Sequence, residues 1–249
     1  MSRSCLVVVL LLFAGAFKAQ AQTTTTQIWD EYMLNYPFAG SWNVELAAAY
    51  TTALEEPRWK ALAFQLTPEY ALSPRVDLTG AVLYESTMQY ESLTTRELRE
   101  MIGTRIHLTP FSRVLVRLLV RLEQRNLYYI ETDDVQRSTR SRLRVESITP
   151  LNKPTMFSGD KLWYMLADVE VFGAIDQQVD ERFANKFRFR LGAGYRLNYA
   201  WRFEFVYTLQ TSRNTIAGDF DSTDNIFRFR IKTFLHGSKP SAVLQGNGN

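Results

Sequence analysis

Between residues 182 and 211 hydrophobic and polar residues change places at almost every step. Phe187, Phe189, Leu191, Ala193, Tyr195 and Leu197 fall on one parity, with Lys186, Arg188, Arg190, Gly192, Gly194 and Arg196 on the other. After a short turn at 198–200, Trp201, Phe203, Phe205, Tyr207 and Leu209 share a face opposite Arg202, Glu204, Thr208 and Gln210. Successive side chains of a strand point to opposite faces, so this pattern predicts a hairpin with one apolar and one charged face. Its arms run for about twelve residues, beyond the ~5–6 of an ordinary soluble strand and enough for the ~9–11 that cross a bilayer at a tilt. The reading that follows is a transmembrane β-barrel, aromatics toward lipid and charges toward the lumen.

The same alternation recurs along the chain. Trp42, Val44, Leu46, Ala48 and Tyr50 oppose Asn43, Glu45 and Thr51; Leu62, Phe64 and Leu66 oppose Ala61, Ala63 and Gln65. Further strands are predicted around Val76–Glu85, Glu97–Leu108 and Arg113–Arg125, then around Arg140–Glu146, Trp163–Val171 and Phe227–Lys232. Residues 28–36 (IWDEYMLNY) read either as a first strand or as a segment along the rim, and 37–41 (PFAGS) reads as a turn. Ten strands follow from Trp42, and twelve if the 28–36 segment pairs and another segment divides. The expected fold is therefore an all-β antiparallel transmembrane barrel of ten to twelve strands. Short turns are expected at 71–75, 109–112 and 198–200, and longer polar connections at 126–137, 172–182 and 213–223. Placing the short turns in the periplasm puts Trp42, Trp163 and Trp201 at one interface, where indole rings favour the headgroup boundary. The connection at 150–159 is long for that side.

Compartment is read from the first residues. Arg3 precedes an apolar stretch at 6–17, and Ala19 and Ala21 flank Gln20 as a small-x-small cleavage site, the layout of a secretory signal peptide. The expected organisation is a signal peptide at 1–21, an N-terminal segment at 22–41, the barrel at 42–235 and a polar tail at 236–249. Cys5, the only cysteine, leaves with the leader, which excludes disulfides and thiol catalysis. No later run is apolar enough for a spanning helix. The formal charge is +3; removing residues 1–21 takes away Arg3 and Lys18 and no acid, leaving +1, so a nucleic-acid partner is not expected.

The arrangement resembles the bacterial outer-membrane family known as Domain of Unknown Function 2490. The resemblance rests on RELR at 96–99, RLEQR at 121–125, RSRLR at 140–144 and FRFRLGAGYRLN at 187–198, and covers most of the mature chain. It implies an outer-membrane barrel with no established activity. The chain departs from the pattern in its polar tail after Leu235.

Charge carries the candidate chemistry. Inward parity gathers about seventeen Lys or Arg against about ten Asp or Glu. Such a lumen is either packed with mutually neutralising ladders or a narrow basic channel in which guanidiniums hold anions. The densest part is Arg117, Arg121, Arg140, Arg142, Arg144, Arg188 and Arg190. Glu123 and Glu146 neutralise only part of it, so small anionic solutes are the expected occupants. Arg142 and Arg144 are expected to be replaceable by Gln without loss of folding. On the opposite parity, Phe205→Arg is expected to impair assembly, and inward Glu204→Gln to be much milder. Other expected partners are outer-membrane lipid and the barrel-assembly machinery. No cofactor or metal site is expected: Asp219, Asp221 and Asp224 lack the glycine and distal glutamate of an EF-hand loop. Gly192 and Gly194 lie inside a strand with no helix after them, a bend or close approach rather than a phosphate loop. No catalytic residue is expected, although a lipid-modifying or hydrolytic barrel is the competing class. His107 is its one inward histidine, and no nucleophile accompanies it by spacing.

Overall fold

The computed structural model describes residues 24–38, 40–55, 58–89, 94–176, 184–214 and 220–235; the side chains of 184–186 and 212–222 fall outside that description. The leader at 1–21 and the tail at 236–249 also lie outside the described residues. Among the described residues the fold is all-β. Eleven strands close into one barrel: β1 (Thr24–Phe38), β2 (Trp42–Ala53), β3 (Trp59–Ser73), β4 (Val76–Gln89), β5 (Thr95–His107), β6 (Leu115–Tyr129), β7 (Asp134–Pro150), β8 (Leu162–Ala174), β9 (Ala184–Arg196), β10 (Trp201–Asn214) and β11 (Phe220–Phe234).

Consecutive strands are antiparallel hairpin partners, and the strand count falls within the expected range. The 28–36 segment resolves as the middle of β1. An odd number of alternating strands leaves the first and last pointing the same way, so the ring closes through a parallel pair. β1 and β11 run in register from Thr24 beside Thr223 to Asn35 beside Phe234. That seam is the exception to the antiparallel expectation. Thr25 Oγ1 donates to Asp224 Oδ1 (2.5 Å), Arg230 Nε to Glu31 Oε2 (2.7 Å), and Arg228 lies 3.3 Å from Glu31. Tyr32 Oη donates to Thr233 Oγ1 at 3.2 Å and the Leu235 amide to the Asn35 carbonyl at 2.9 Å. Slanted parallel pairs are slightly weaker than antiparallel ones, and these side-chain links lock the seam.

The alternation seen in the sequence divides outside from inside. Large apolar side chains remain exposed all round the outer wall, among them Leu46, Phe64, Ile102, Leu122, Trp163, Phe205 and Phe229. Their polar neighbours turn inward, where Glu123, Glu170, Arg190, Arg228 and Asp224 are buried. An inside-out distribution of this extent far exceeds the scattered apolar exposure of a soluble surface. Aromatics pair along the outer wall near one end: Trp42 with Tyr70 (ring centroids 4.9 Å), Trp163 with Tyr195 (4.7 Å) and Trp201 with Phe203 (6.5 Å).

That aromatic end carries the turns at 74–75, 108–114 and 197–200. It also carries the eleven-residue connection at 151–161, which we call the strap. The opposite end differs from expectation at 126–137. β6 continues to Tyr129 and β7 begins at Asp134, leaving a tight turn with Asp133 in the left-handed region (φ 55°). Leu127 and Tyr129 turn inward and pack together, which extends the strand through a stretch that reads as polar.

Three rim carboxylates at this end cap strand amides. Glu55 accepts from the Thr26 amide (2.5 Å), Glu131 from Thr94 (2.8 Å) and Asp176 from Thr139 (2.7 Å). Those hydrogen bonds hold each carboxyl below its ordinary range. A lowered carboxyl pKa stabilises the folded state above the ordinary range, and the contribution is lost as pH falls through the lowered value. Rim order is therefore expected to loosen only in acid, read as faster amide exchange at Thr26, Thr94 and Thr139.

Candidate functional site

The site is the lumen, and its framework is an ionic network along β6–β9. The pleat places Glu123 of β6, Arg140 and Arg142 of β7, Asp168 and Glu170 of β8, and Arg188 and Arg190 of β9 on one inner wall. Glu123 is fully buried and accepts from Arg140 Nε (2.6 Å) and Arg142 Nη1 (3.1 Å). Glu170 is also fully buried. It accepts from Arg142 Nε and from Arg190 Nη2 (3.0 Å), with Arg188 Nη1 at 3.6 Å. Arg190 Nε closes on Asp168 at 2.7 Å. The Phe172 ring lies within cation–π distance of Arg140 (4.9 Å), Arg142 (5.3 Å) and Arg188 (5.2 Å).

All seven arginines of the expected cluster face inward, but they are not equivalent. Arg140, Arg142, Arg188 and Arg190 are held in the network, and Arg117 pairs with Glu146. Arg121 reaches the Met101 sulfur at 3.4 Å and stands 4.0 Å from Glu123. Arg144 makes no ion pair or hydrogen bond among the described residues, and its buried Nε lacks an acceptor there. The expected neutralisation by Glu123 and Glu146 omitted Glu170 and Asp168. A strand has two neighbours, and β8 contributes carboxylates to β7 from the side opposite β6. Replacing Arg142 therefore disturbs two buried carboxylates, which corrects the expectation that both Arg142 and Arg144 are freely replaceable.

A second network ties β10 and β11 to the seam. Glu204 accepts from Tyr164 Oη (2.7 Å) and Arg230 Nη1 (2.9 Å), and Lys232 Nζ lies 2.9 Å away. The Tyr164 ring lies where a Cβ on Gly194 would have to be, so Gly194 permits the close approach that its position inside a strand suggested. Trp29 of β1 supports Arg228 (4.2 Å) and Arg188 (5.8 Å). Trp29 and Phe172 were not legible as lumen residues, because one lies in the ambiguous first segment and the other in a stretch that reads as a connection.

Alongside these networks runs a cavity of about 1270 Å³. It reaches from Gln27, Trp59 and Gln89 near one rim to Ser41, Trp42 and Phe234 near the other. Space exists because β2 and β3 turn small residues inward, including Ala47, Ala49, Ala63 and Ala71. A fifteen-residue strand rising ~3.3 Å per residue and tilted ~40° stands about 38 Å high. Spread over a height of that order, the cavity is a narrow bore. Fourteen Lys or Arg and eight Asp or Glu line it among the described residues.

The strap narrows the aromatic end of this cavity. Met156 packs into a buried cluster with Leu162, Tyr164, Leu166 and Val206, and Phe157 lines the lumen. Arg196 holds three strap carbonyls: Met156 (2.8 Å), Ser158 (3.0 Å) and Gly159 (2.6 Å). Tyr199 Oη donates to the Phe157 carbonyl at 3.1 Å, and the Tyr199 ring lies 5.0 Å from the Arg196 guanidinium. This accounts for the unusual length of the 151–161 connection: it is folded structure. Arg196→Ala is expected to release the strap, speeding proteolysis within 151–161 in detergent. Unchanged cleavage would assign the hold to Met156 packing instead.

His107 Nε2 meets Asp77 Oδ2 at 2.7 Å, and no serine or threonine hydroxyl bonds to it among the described residues. Asp224 accepts from Thr25 Oγ1 and from Gln210 Nε2 (3.1 Å); the Asp219 and Asp221 side chains lie outside the description.

These features define a closed β-barrel with an ion-networked lumen. The chain belongs to the family described as "Protein of unknown function (DUF2490)", whose family model matches residues 26–221. Comparison with curated proteins found no match.

Proposed function

We propose that this chain is an exported, porin-like barrel of the bacterial outer membrane that forms a narrow, anion-preferring pore. The observation that carries the reading is the cavity that runs between the two rims with an excess of Lys and Arg on its wall. The exposed apolar outer wall suits a lipid partner, and such a barrel needs the assembly machinery of that membrane. A narrow bore limits passage to small solutes, and a basic wall concentrates anions over cations. We assign no catalytic role, because a base needs a nucleophile in reach.

Arg144 is the residue on which to test this, since it makes no ion pair or hydrogen bond among the described residues. Arg144→Gln is expected to fold as the parent does and to move the reversal potential in a KCl gradient toward lower anion preference. Folding with unchanged selectivity removes Arg144 from the filter. A protein that gives no conductance steps under any salt favours a plugged barrel.

A further inference from the structure

The cations around the cavity are confined to one wall, which also carries three of the eight lining acids, Glu97, Glu146 and Glu204. Each charged residue that β1–β4 contribute to the lining is acidic: Glu31, Glu45, Glu69, Asp77 and Glu85. All fourteen lining Lys and Arg come from β5–β11. In a closed ring of eleven strands, β2 and β3 stand across the lumen from the neighbourhood of β8. The acidic arc therefore faces the arginine network across the bore.

Internal pairing does not cancel this separation. Glu31 is engaged by Arg228 and Arg230, and Glu69 and Asp77 by Arg105. Glu45 of β2 and Glu85 of β4 make no ion pair or hydrogen bond among the described residues, and both line the cavity. On the other arc Arg144 is likewise without an ion pair. Arg202 stacks on the Phe234 ring at 4.1 Å with no carboxylate at ion-pair distance among the described residues. Two carboxylates of the acidic arc and two guanidiniums of the basic arc thus line the bore without an ion pair among the described residues.

We propose that the lumen selects small zwitterions, compounds that carry an ammonium and a carboxylate a few ångströms apart. The ammonium turns to the Glu45 and Glu85 side and the carboxylate to the Arg144 and Arg202 side. This rests on the pore reading and deepens it by naming a substrate class. The physics differs from anion preference. A uniform basic potential attracts anions but does no work on a solute of zero net charge, whereas a transverse field orients and stabilises a dipole. The low-dielectric walls of a narrow bore focus that field.

The test is liposome swelling with two isomers of equal mass, zwitterionic β-alanine and neutral lactamide, compared as a ratio of rates within each variant. The ratio cancels differences in the amount of protein inserted. The parent is expected to admit β-alanine roughly threefold faster, the size of effect a single water-screened ion pair supplies. Glu45→Gln with Glu85→Gln is expected to bring the ratio to unity while raising chloride preference. Arg144→Gln is expected to lower the ratio while lowering chloride preference. A fall in the zwitterion ratio on both sides, with opposite shifts in ion selectivity, is the signature of the transverse field. A parent ratio of one, or a ratio that follows chloride preference, overturns the proposal and leaves the pore standing. No swelling with either solute, from protein whose heat-modifiable gel mobility shows a folded barrel, overturns both.

Discussion

Glu170→Gln is expected to lower the stability of the barrel by about 3 kcal/mol, the low end of the cost of breaking a buried ion pair. Glu170 is fully buried and is shared by Arg142, Arg190 and Arg188. Glutamine keeps the shape, so no void is created and the effect is electrostatic. The low end is appropriate because Arg142 keeps Glu123, Arg190 keeps Asp168 and Arg188 keeps Gln210 (2.5 Å). What is lost is the one charge that separates three guanidiniums. The temperature at which the compact form converts on a gel should drop clearly for Glu170→Gln and stay put for Arg144→Gln. Equal behaviour of the two would mean that the network is not what holds this wall.

Phe205→Arg is expected to cost about 2–4 kcal/mol if the outer wall meets hydrocarbon near the bilayer midplane. Phe205 stands out from β10, 44% exposed, with the Phe229 ring centroid at 5.1 Å and that of Phe227 at 6.4 Å. In water the same substitution removes an exposed apolar ring and would be close to neutral. The outcome therefore reports the solvent of the outer wall. Refolding yield into lipid vesicles should fall for Phe205→Arg and hold for Phe205→Leu; equal yields would contradict a lipid-facing Phe205. Glu204→Gln, which parity alone makes a mild inward control, is unsuitable because Glu204 binds Tyr164, Arg230 and Lys232. Arg144→Gln takes its place.

The strands were legible because their alternation is physical: one face forms the apolar outer wall and the other a charged interior. Phe187 to Arg196, Trp201 to Gln210 and Val116 to Arg125 each took the face that their parity assigned. β1 was not, because its parities are mixed. Asp30 falls on the outward parity with Ile28 and Tyr32, while Trp29 and Met33 line the lumen beside Glu31. That ambiguity hid the odd strand count and with it the parallel seam. The seven arginines were legible as inward residues, but their partners were not. Parity gives the face and says nothing of the neighbour across a closed ring. Glu31 and Arg230 are 199 residues apart and meet because the barrel closes. The acidic arc was hidden for the same reason. Glu45, Glu69 and Glu85 read as isolated inward acids until ring order set them on one wall, across from the arginines.

The central claim is a conducting lumen with a basic wall, and ion currents through the refolded protein in a planar bilayer test it most directly. With a KCl gradient across the membrane, the account predicts discrete, uniform conductance steps and a reversal potential on the chloride side. A silent membrane containing folded barrels, or steps with a potassium-side reversal potential, would contradict it.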